Sequence, residues 1–353
     1  MQKGCADTMG EKSSSKAPYR VLVTGSAGFI GFHLAQLLLS EGHTVCGFDG
    51  MTDYYDVALK HRRHQTLLQS PRFAACEGRL EDADTFLRVA EDFGPDVIIH
   101  LAAQAGVRYS LENPRAYLDS NITGTFNVME AARTLQVNHL LMASTSSVYG
   151  ANTEMPFDES QKVDTPLTFY AATKKANEAM SHSYAHLWDL PVTMFRFFTV
   201  YGPWGRPDMA LFKFTKGILE ETPIDIYNHG EMYRDFTYVE DLVRGIRLLI
   251  DAVPKRPSDG VVPPGDSLSP VAPWRVVNIG NSDKVRLLDY IQAIEAELGK
   301  KAIRNYMDMQ PGDVPATWAD ASLLQQLTGY RPQTDIHTGV ARFVAWYRDY
   351  YNV

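Results

Sequence analysis

The sequence predicts an α/β protein: a doubly wound parallel sheet of the Rossmann type with a smaller C-terminal α/β lobe. Three observations carry that expectation. Short β-branched or apolar runs alternate with helix-period segments from Tyr19 to Phe198. The first run opens into a glycine-rich turn, Thr24-Gly-Ser-Ala-Gly-Phe-Ile-Gly31. After Tyr201 the alternation gives way to shorter strands and irregularly spaced helices.

In chain order, the pattern gives strands over 21–24, 44–48, 73–76, 97–101, 139–143 and 192–198. Between them it gives helices over 29–40, 56–69, 82–92, 114–135 and 167–188. Continuous apolar runs this short suit strands buried on both faces, which is how a parallel sheet reads. Each crossover should be right-handed. Farther on, strands are expected at 224–227 and 276–279, and helices at 211–220, 239–252, 287–299 and 336–350. The proline- and glycine-rich stretch 254–273 reads as a long surface loop. The layout expected is a loose extension over 1–18, a dinucleotide-binding domain over 19–200 and a lobe over 201–353. Some of the lobe's chain should return to the first domain, leaving a cleft between the two.

The 353 residues carry 34 basic and 42 acidic side chains, a net charge of −8. No global basic field therefore invites nucleic acid or an anionic membrane. Three cysteines (Cys5, Cys46, Cys76) are too few and too scattered for a disulfide framework or zinc knuckle, which points to a reducing compartment, the cytoplasm. No uninterrupted apolar run approaches the roughly 18–20 residues that span a bilayer. Residues 1–18 are polar and lack the apolar stretch of a secretory signal.

The glycines at 25, 28 and 31 follow a strand and open a helix in the first βαβ unit, the context a dinucleotide fingerprint requires. Gly25 permits the tight turn, Gly28 lets backbone approach a pyrophosphate, and Gly31 lets helix and sheet pack closely. The helix entered at Phe29 and Ile30 would offer its amides to the phosphates. Ala102, just past the fourth strand, joins this cofactor set. The bland alternative is a glycine turn that holds nothing. Asp49 ends the second strand 24 residues after Gly25, where a carboxylate accepts the adenosine ribose hydroxyls and repels a 2′-phosphate, favouring NAD over NADP. Its alternative is a solvent-exposed turn residue before Gly50.

Tyr170 and Lys174 share one helix face at i, i+4. An ammonium near a phenol favours the phenolate, as would a bound nicotinamide cation, making Tyr170 a usable base near neutral pH. Alone, such spacing also decorates many helix surfaces. Here Ser144-Thr-Ser-Ser-Val-Tyr-Gly150 sets Thr145 25 residues before Tyr170, and Asn121-Ile-Thr-Gly-Thr125 adds a further polar element. With these motifs the chain resembles the extended short-chain dehydrogenase/reductases, in their nucleotide-sugar-modifying branch, from about Tyr19 to the C-terminus. The resemblance implies NAD as cofactor and a homodimer. It also implies that Thr145 hydrogen-bonds the sugar oxygen, that Tyr170 exchanges its proton, and that Lys174 binds the nicotinamide ribose.

After Thr145 the branch's dehydratases carry an Asp-Glu pair for general acid and base; this chain has Ser146 and Ser147, which disfavours dehydration. The block Arg196-Phe-Phe-Thr-Val-Tyr-Gly-Pro-Trp-Gly-Arg-Pro-Asp-Met209 is similar to the UDP-glucuronate 4-epimerases. That resemblance makes Arg206, Thr199 and the hydroxyls of Thr145, Ser146 and Ser147 a cradle for a sugar carboxylate. An arginine fork suits such a group in a way lysine does not. The alternative is that Arg206 only braces its loop. Gly230 to Asp241 resembles the UDP-binding segment, with Arg234 toward the diphosphate and Lys213 contributing. Asp313 in Gln310-Pro-Gly-Asp would close on the nucleotide, although such a turn also explains itself.

The reaction implied is reversible interconversion of UDP-glucuronate and UDP-galacturonate through a 4-keto sugar. The rivals are a neutral UDP-hexose 4-epimerase, a decarboxylating UDP-glucuronate enzyme, and an NAD-binding sensor without turnover. Two departures stand out. Gly78-Arg79-Leu80 replaces the family's Gly-Asp-Leu, which puts the adenine contact in doubt, and Gly50 follows Asp49 where Asn is usual. His182 and His186, at i, i+4, read as packing or exposed residues rather than ligands, and no metal is expected. Phe195, Phe197, Phe198 and Tyr201 read as strand core, and Tyr109 as a cleft residue.

Overall fold

Seven parallel strands form one sheet in the computed structural model, which describes residues 17–310 and 312–353. The extension expected over 1–18 lies outside the described residues except for Ala17 and Pro18. The strands are β1 (Arg20–Thr24), β2 (Thr44–Asp49), β3 (Phe73–Glu77), β4 (Val97–His100), β5 (His139–Ala143), β6 (Val192–Phe197) and β7 (Trp274–Ile279). Their order is β7-β6-β5-β4-β1-β2-β3. Connections run one way from β1 and the other way from β4. A crevice therefore opens at the carboxyl ends of β1 and β4, where open α/β sheets bind ligands.

Helices cover both faces because both faces of the strands are apolar. Val21 and Val23 of β1 pack with Phe32, Leu34 and Leu38 of α1 (Phe29–Ser40). The intervening Leu22 packs the other way, with Phe86 of α2 (Ala83–Phe93) and Val128 and Met129 of α3 (Gly124–Thr134). That alternation is the period of 2 expected of a strand sandwiched between layers. Helix α4 (Phe169–Trp188) crosses the second face. A third cluster around Tyr201, Phe212, Tyr290 and Phe343 forms the core of the C-terminal lobe. The chain also returns to the sheet. After α5 (Ala210–Leu219) comes α6 (Val239–Asp251), whose Leu242 and Ile246 join the core that holds α1. Strand β7 then pairs with β6.

The single helix expected over 114–135 is interrupted. Pro114–Tyr117 is followed by a π-helical turn, Leu118–Thr123, before α3 begins. The wider turn carries Asn121, which is fully buried. Its Oδ1 accepts from the Gln104 amide (2.8 Å), and its Nδ2 donates to the Gln104 carbonyl and Thr173 Oγ1 (both 3.1 Å). Asn121 thus ties the loop after β4 to α4.

Several short pairings were not legible: Thr199–Tyr201 with Phe236–Tyr238, and Tyr233–Arg234 between Val285–Arg286 and Ala316–Thr317. Arg304–Met307 beside Ile224–Tyr227 and the helix Ser322–Thr328 were also missed in part or whole. His182 and His186 hold the long loop, through Ser269 Oγ (2.8 Å) and the Val271 carbonyl (2.9 Å). Phe195, Phe197, Phe198 and Tyr201 are buried as expected of core. Among the described residues there is no group of potential metal ligands and no helix long and apolar enough to cross a membrane.

A buried ion pair joins α4 to the sheet. Glu178 accepts from Arg196 Nε (3.0 Å) and Nη2 (2.9 Å), and from Ser144 Oγ at the end of β5 (2.7 Å). Both charged side chains are 3% exposed or less. Removing one partner strands the other charge in the interior, so Glu178→Ala should cost about 3–5 kcal/mol in urea unfolding. A loss below about 1 kcal/mol would show that the pair does not anchor the helix.

Candidate active site

Two cavities meet at Tyr170. The first, about 290 Å³, lies over the carboxyl ends of the strands. Gly25, Gly28, Phe29, Ile30 and Gly31 line it on one side, Asp49 and Ala102 lie along it, and Tyr170 and Lys174 close it. The second, about 1220 Å³, runs between the sheet and the lobe. Thr145, Ser146, Ser147 and Thr199 line its inner end with Arg206, and Lys213, Arg234 and Asp313 line its outer part. Thr145, Tyr170 and Arg206 face both cavities. The sequence-predicted residues are therefore brought together as two sets with a shared junction.

The glycine turn is shaped by contact as much as by torsion. Gly25 has φ +75°, and a Cβ there would sit 2.8 Å from the Ala102 nitrogen. At Gly31 a Cβ would sit 2.1 Å from the Gly25 carbonyl oxygen. Neither position admits a side chain without moving backbone, and the space so kept faces the cofactor cavity. Asp49 is 7% exposed, and its carboxylate accepts from the amides of Ala27 (3.0 Å) and Met51 (2.9 Å). The carboxylate thus braces the glycine turn, rather than being the free turn residue of the alternative reading. Arg79 is paired with Glu81 (2.7 Å) at the rim of the same cavity, below which Gly78 and Leu80 lie.

Tyr170, Lys174 and Glu178 recur every four residues on α4, so one helix face carries all three. Thr145 leaves β5 in an extended conformation and caps the short helical turn Ser146–Tyr149, its Oγ1 accepting from the Ser147 amide (3.2 Å). Ser144, one residue earlier, is held by Glu178. The same carboxylate therefore sets both the helix face and the strand end that carries Thr145.

The electrostatics differ from the expectation that Lys174 lowers the Tyr170 pKa. Burial pushes the Tyr170 phenol above its ordinary value, while the Thr145 hydroxyl and the Arg206 guanidinium pull it back. Burial also pushes Lys174 down to about 8, opposed by the Glu178 charge. Desolvation, which is strongest where a helix face is pressed against a sheet, is the largest cause of the Tyr170 shift, and the groups that oppose it are Thr145 and Arg206 rather than the lysine that spacing suggested. His100, beneath the cavity, is kept neutral by burial and by Lys174, and its ring nitrogens meet Thr24 Oγ1 (2.7 Å) and Thr125 Oγ1 (3.0 Å).

On the other side of the junction, Arg206 Nε and Nη2 donate to Asp208 Oδ1 (3.0 Å) and Oδ2 (2.6 Å). The guanidinium also lies over the Tyr54 ring, 5.7 Å from its centre. The loop before it is gripped from the cofactor side. His33 Nε2 meets the Pro203 carbonyl (2.8 Å), and the buried Arg63 donates to the carbonyls of Ala27 (2.7 Å) and Trp204 (2.5 Å). Arg234 spends its two Nη groups on the carbonyls of Tyr233 (2.9 Å) and Val314 (2.8 Å). Asp313 accepts from Arg108 (2.9 Å), whose guanidinium lies 4.4 Å from the centre of the Tyr227 ring. Tyr109 also lines this cavity. Tyr54, Asp208, Arg63, Arg108 and Glu178 were missed by the sequence reading. The only signal available for any of them was the spacing of Glu178 from Lys174.

The model of the NAD dependent epimerase/dehydratase family matches residues 21–262. A probable UDP-glucuronate 4-epimerase of Rhizobium meliloti is 55% identical over 94% of this chain and 98% of its own length. UDP-glucuronate 4-epimerase 4 of Arabidopsis thaliana is 44% identical over 97% of this chain and 78% of its own. Among solved structures, the UDP-glucuronic acid 4-epimerase of Bacillus cereus, in complex with UDP-glucuronic acid and NAD, superposes with a TM-score of 0.83. It is 32% identical, over 94% of this chain and 100% of that one. A family match over most of the chain, and relatives this similar along nearly all of it, lead to one conclusion: the chain belongs to the NAD-dependent epimerase/dehydratase family.

Proposed function

We propose that this chain is an NAD-dependent isomerase that interconverts UDP-glucuronate and UDP-galacturonate by oxidation and re-reduction at C4. The observation that carries the reading is the junction: Arg206 shares with Thr145 and Tyr170 the point where the cofactor cavity meets the larger one. A cationic fork beside the proton-transfer pair suits a sugar acid and has no use for a neutral hexose. The relatives named for UDP-glucuronate 4-epimerisation support the same substrate.

The residues fit NAD. The backbone space kept by Gly25 and Gly31 suits a pyrophosphate, Asp49 suits the adenosine ribose, and Lys174 suits the nicotinamide ribose. Bound NAD supplies a hydride acceptor that becomes the donor in the second half-reaction. Tyr170 takes the proton of the 4-hydroxyl as C4 is oxidised and returns it when C4 is reduced from the other face. Thr145 orients that oxygen and, with the Arg206 charge, favours the phenolate against the burial that opposes it, while Lys174 binds the nicotinamide ribose. The ketone formed lies β to the carboxylate, an arrangement prone to lose carbon dioxide. Arg206, Thr199 and the hydroxyls of Thr145, Ser146 and Ser147 hold the carboxylate so that the scissile bond stays out of line with the ketone π system. Arg234 and Lys213 face the diphosphate, and Asp313 closes the outer cavity. The sensor alternative is disfavoured by an intact Thr145, Tyr170 and Lys174.

We also infer a homodimer, because the segments that would form its interface carry exposed apolar side chains: Leu118, Phe126, Phe169, Leu187 and Trp188. The cytoplasm is inferred from cysteine usage.

Purified protein incubated with UDP-glucuronate, without added reductant, should yield UDP-galacturonate by proton NMR with total nucleotide sugar conserved. UDP-pentose and carbon dioxide would overturn the reading. Tyr170→Phe should lower kcat by about 10²–10⁴-fold. Arg206→Ala should raise the KM for UDP-glucuronate by about 10- to 100-fold, the worth of a hydrogen bond to a charged group. With Lys174 charged below about 8 and neutral above, kcat/KM should fall as pH rises through that value. A profile that stays level to about pH 10, the ordinary lysine range, would contradict this role.

A further inference from the structure

One edge of the Arg206 fork is already occupied. Asp208 takes it on two parallel bonds, Nε to Oδ1 at 3.0 Å and Nη2 to Oδ2 at 2.6 Å, the geometry that a substrate carboxylate would otherwise claim. The Tyr54 hydroxyl donates to the same Oδ2 at 3.3 Å. Burial opposes the Asp208 charge, yet the Arg206 guanidinium holds its carboxyl below the usual range, so the pair is ionised. Neither partner is sealed off: the two side chains are 21% and 27% exposed, and both line the larger cavity. An acid sugar therefore meets a guanidinium whose Nε–Nη2 edge is taken and whose charge is partly neutralised.

That arrangement bears on a requirement of the proposed reaction. The 4-keto sugar must turn over to show its opposite face, and a carboxylate clamped on a fully charged arginine would resist that movement. We propose that Asp208 is a specificity-determining and positioning residue. By keeping the Nε–Nη2 edge and part of the charge of Arg206, it leaves the Nη1–Nη2 edge, at reduced charge, for the substrate carboxylate. The contact still selects an acid sugar, and it is loose enough for the sugar ring to turn. Tyr54 moderates the device, because its donated proton draws Asp208 charge away from Arg206. The proposal rests on the epimerase reading above.

The test uses NAD-loaded enzyme in a Tyr170→Phe background, which blocks turnover, with calorimetric titration of UDP-glucuronate and UDP-glucose. Adding Asp208→Asn should tighten UDP-glucuronate about five- to tenfold, the effect of removing one competing charge near 4 Å, and leave UDP-glucose unchanged. With Tyr170 present, Asp208→Asn should lower both KM and kcat for UDP-glucuronate. If Asp208 merely braced its loop, both sugars would bind less tightly, and that result would overturn the proposal. Tyr54→Phe should act in the opposite sense, weakening UDP-glucuronate about twofold, since Asp208 then neutralises Arg206 more fully. It keeps the test open should Asp208→Asn fail to fold; unchanged or tighter binding in Tyr54→Phe would overturn the proposal. If the parent enzyme shows no preference for UDP-glucuronate over UDP-glucose, the functional reading fails instead.

Discussion

The buried contact of Glu178 with Arg196 and Ser144 fixes the register on which the whole site depends. Tyr170 and Lys174 lie on a helix, whereas Thr145 and Thr199 lie at strand ends, and nothing local forces those elements to agree within hydrogen-bonding distance. One carboxylate on the Tyr170–Lys174 face reaches β5 through Ser144 and β6 through Arg196, and so locks all three elements together. An ion pair in the interior is a poor source of net stability, because desolvation consumes most of its attraction. Its value here is geometric. It also raises the Lys174 pKa against the desolvation that lowers it, so the anchoring group helps keep the neighbouring cation charged.

A second set of contacts makes the substrate end answer to the cofactor end. Arg63 and His33 take hold of the loop that precedes Arg206, and Arg63 also binds the Ala27 carbonyl inside the glycine turn. Trp204 of that loop packs against Phe32 of α1 and against Trp346 and Tyr350 of the C-terminal helix, Ile336–Tyr351. Arg206 is therefore mounted on the dinucleotide fold itself. The lobe contributes the outer wall of the larger cavity. Charge along the larger cavity is balanced within the protein: Arg206 by Asp208 at the junction, and Arg108 by Asp313 farther out.

The chemistry was legible where it is written in short, local patterns. A glycine at each of three fixed offsets, a tyrosine four residues before a lysine, and a hydroxyl at a strand end can be read without knowing what they touch. The sheet was legible for the same reason, since its strands are short, mostly apolar runs that alternate with helix-period segments. What escaped depends on partners distant in sequence. Asp208 looks like a turn residue until the Arg206 fork is seen upon it, and Tyr54 gains meaning only because Gly106 and Asp208 bring the opposite wall to its hydroxyl. The strands Thr199–Tyr201 and Tyr233–Arg234 are too short to show a period. The π turn at Leu118–Thr123 leaves the apolar rhythm of a helix nearly intact. The direction of the Tyr170 shift was misread because spacing reports neighbours and not desolvation.

The central claim is that C4 loses and regains the same hydrogen within one enclosed site. The most direct measurement is conversion of UDP-glucuronate deuterated at C4, mixed with unlabelled substrate in ordinary water, with the label followed by NMR and mass spectrometry. The account predicts UDP-galacturonate that keeps deuterium at C4, with none lost to solvent. Product formed with C4 deuterium replaced by solvent hydrogen would contradict hydride return to the opposite face, and with it the roles given to Tyr170, Lys174 and Arg206.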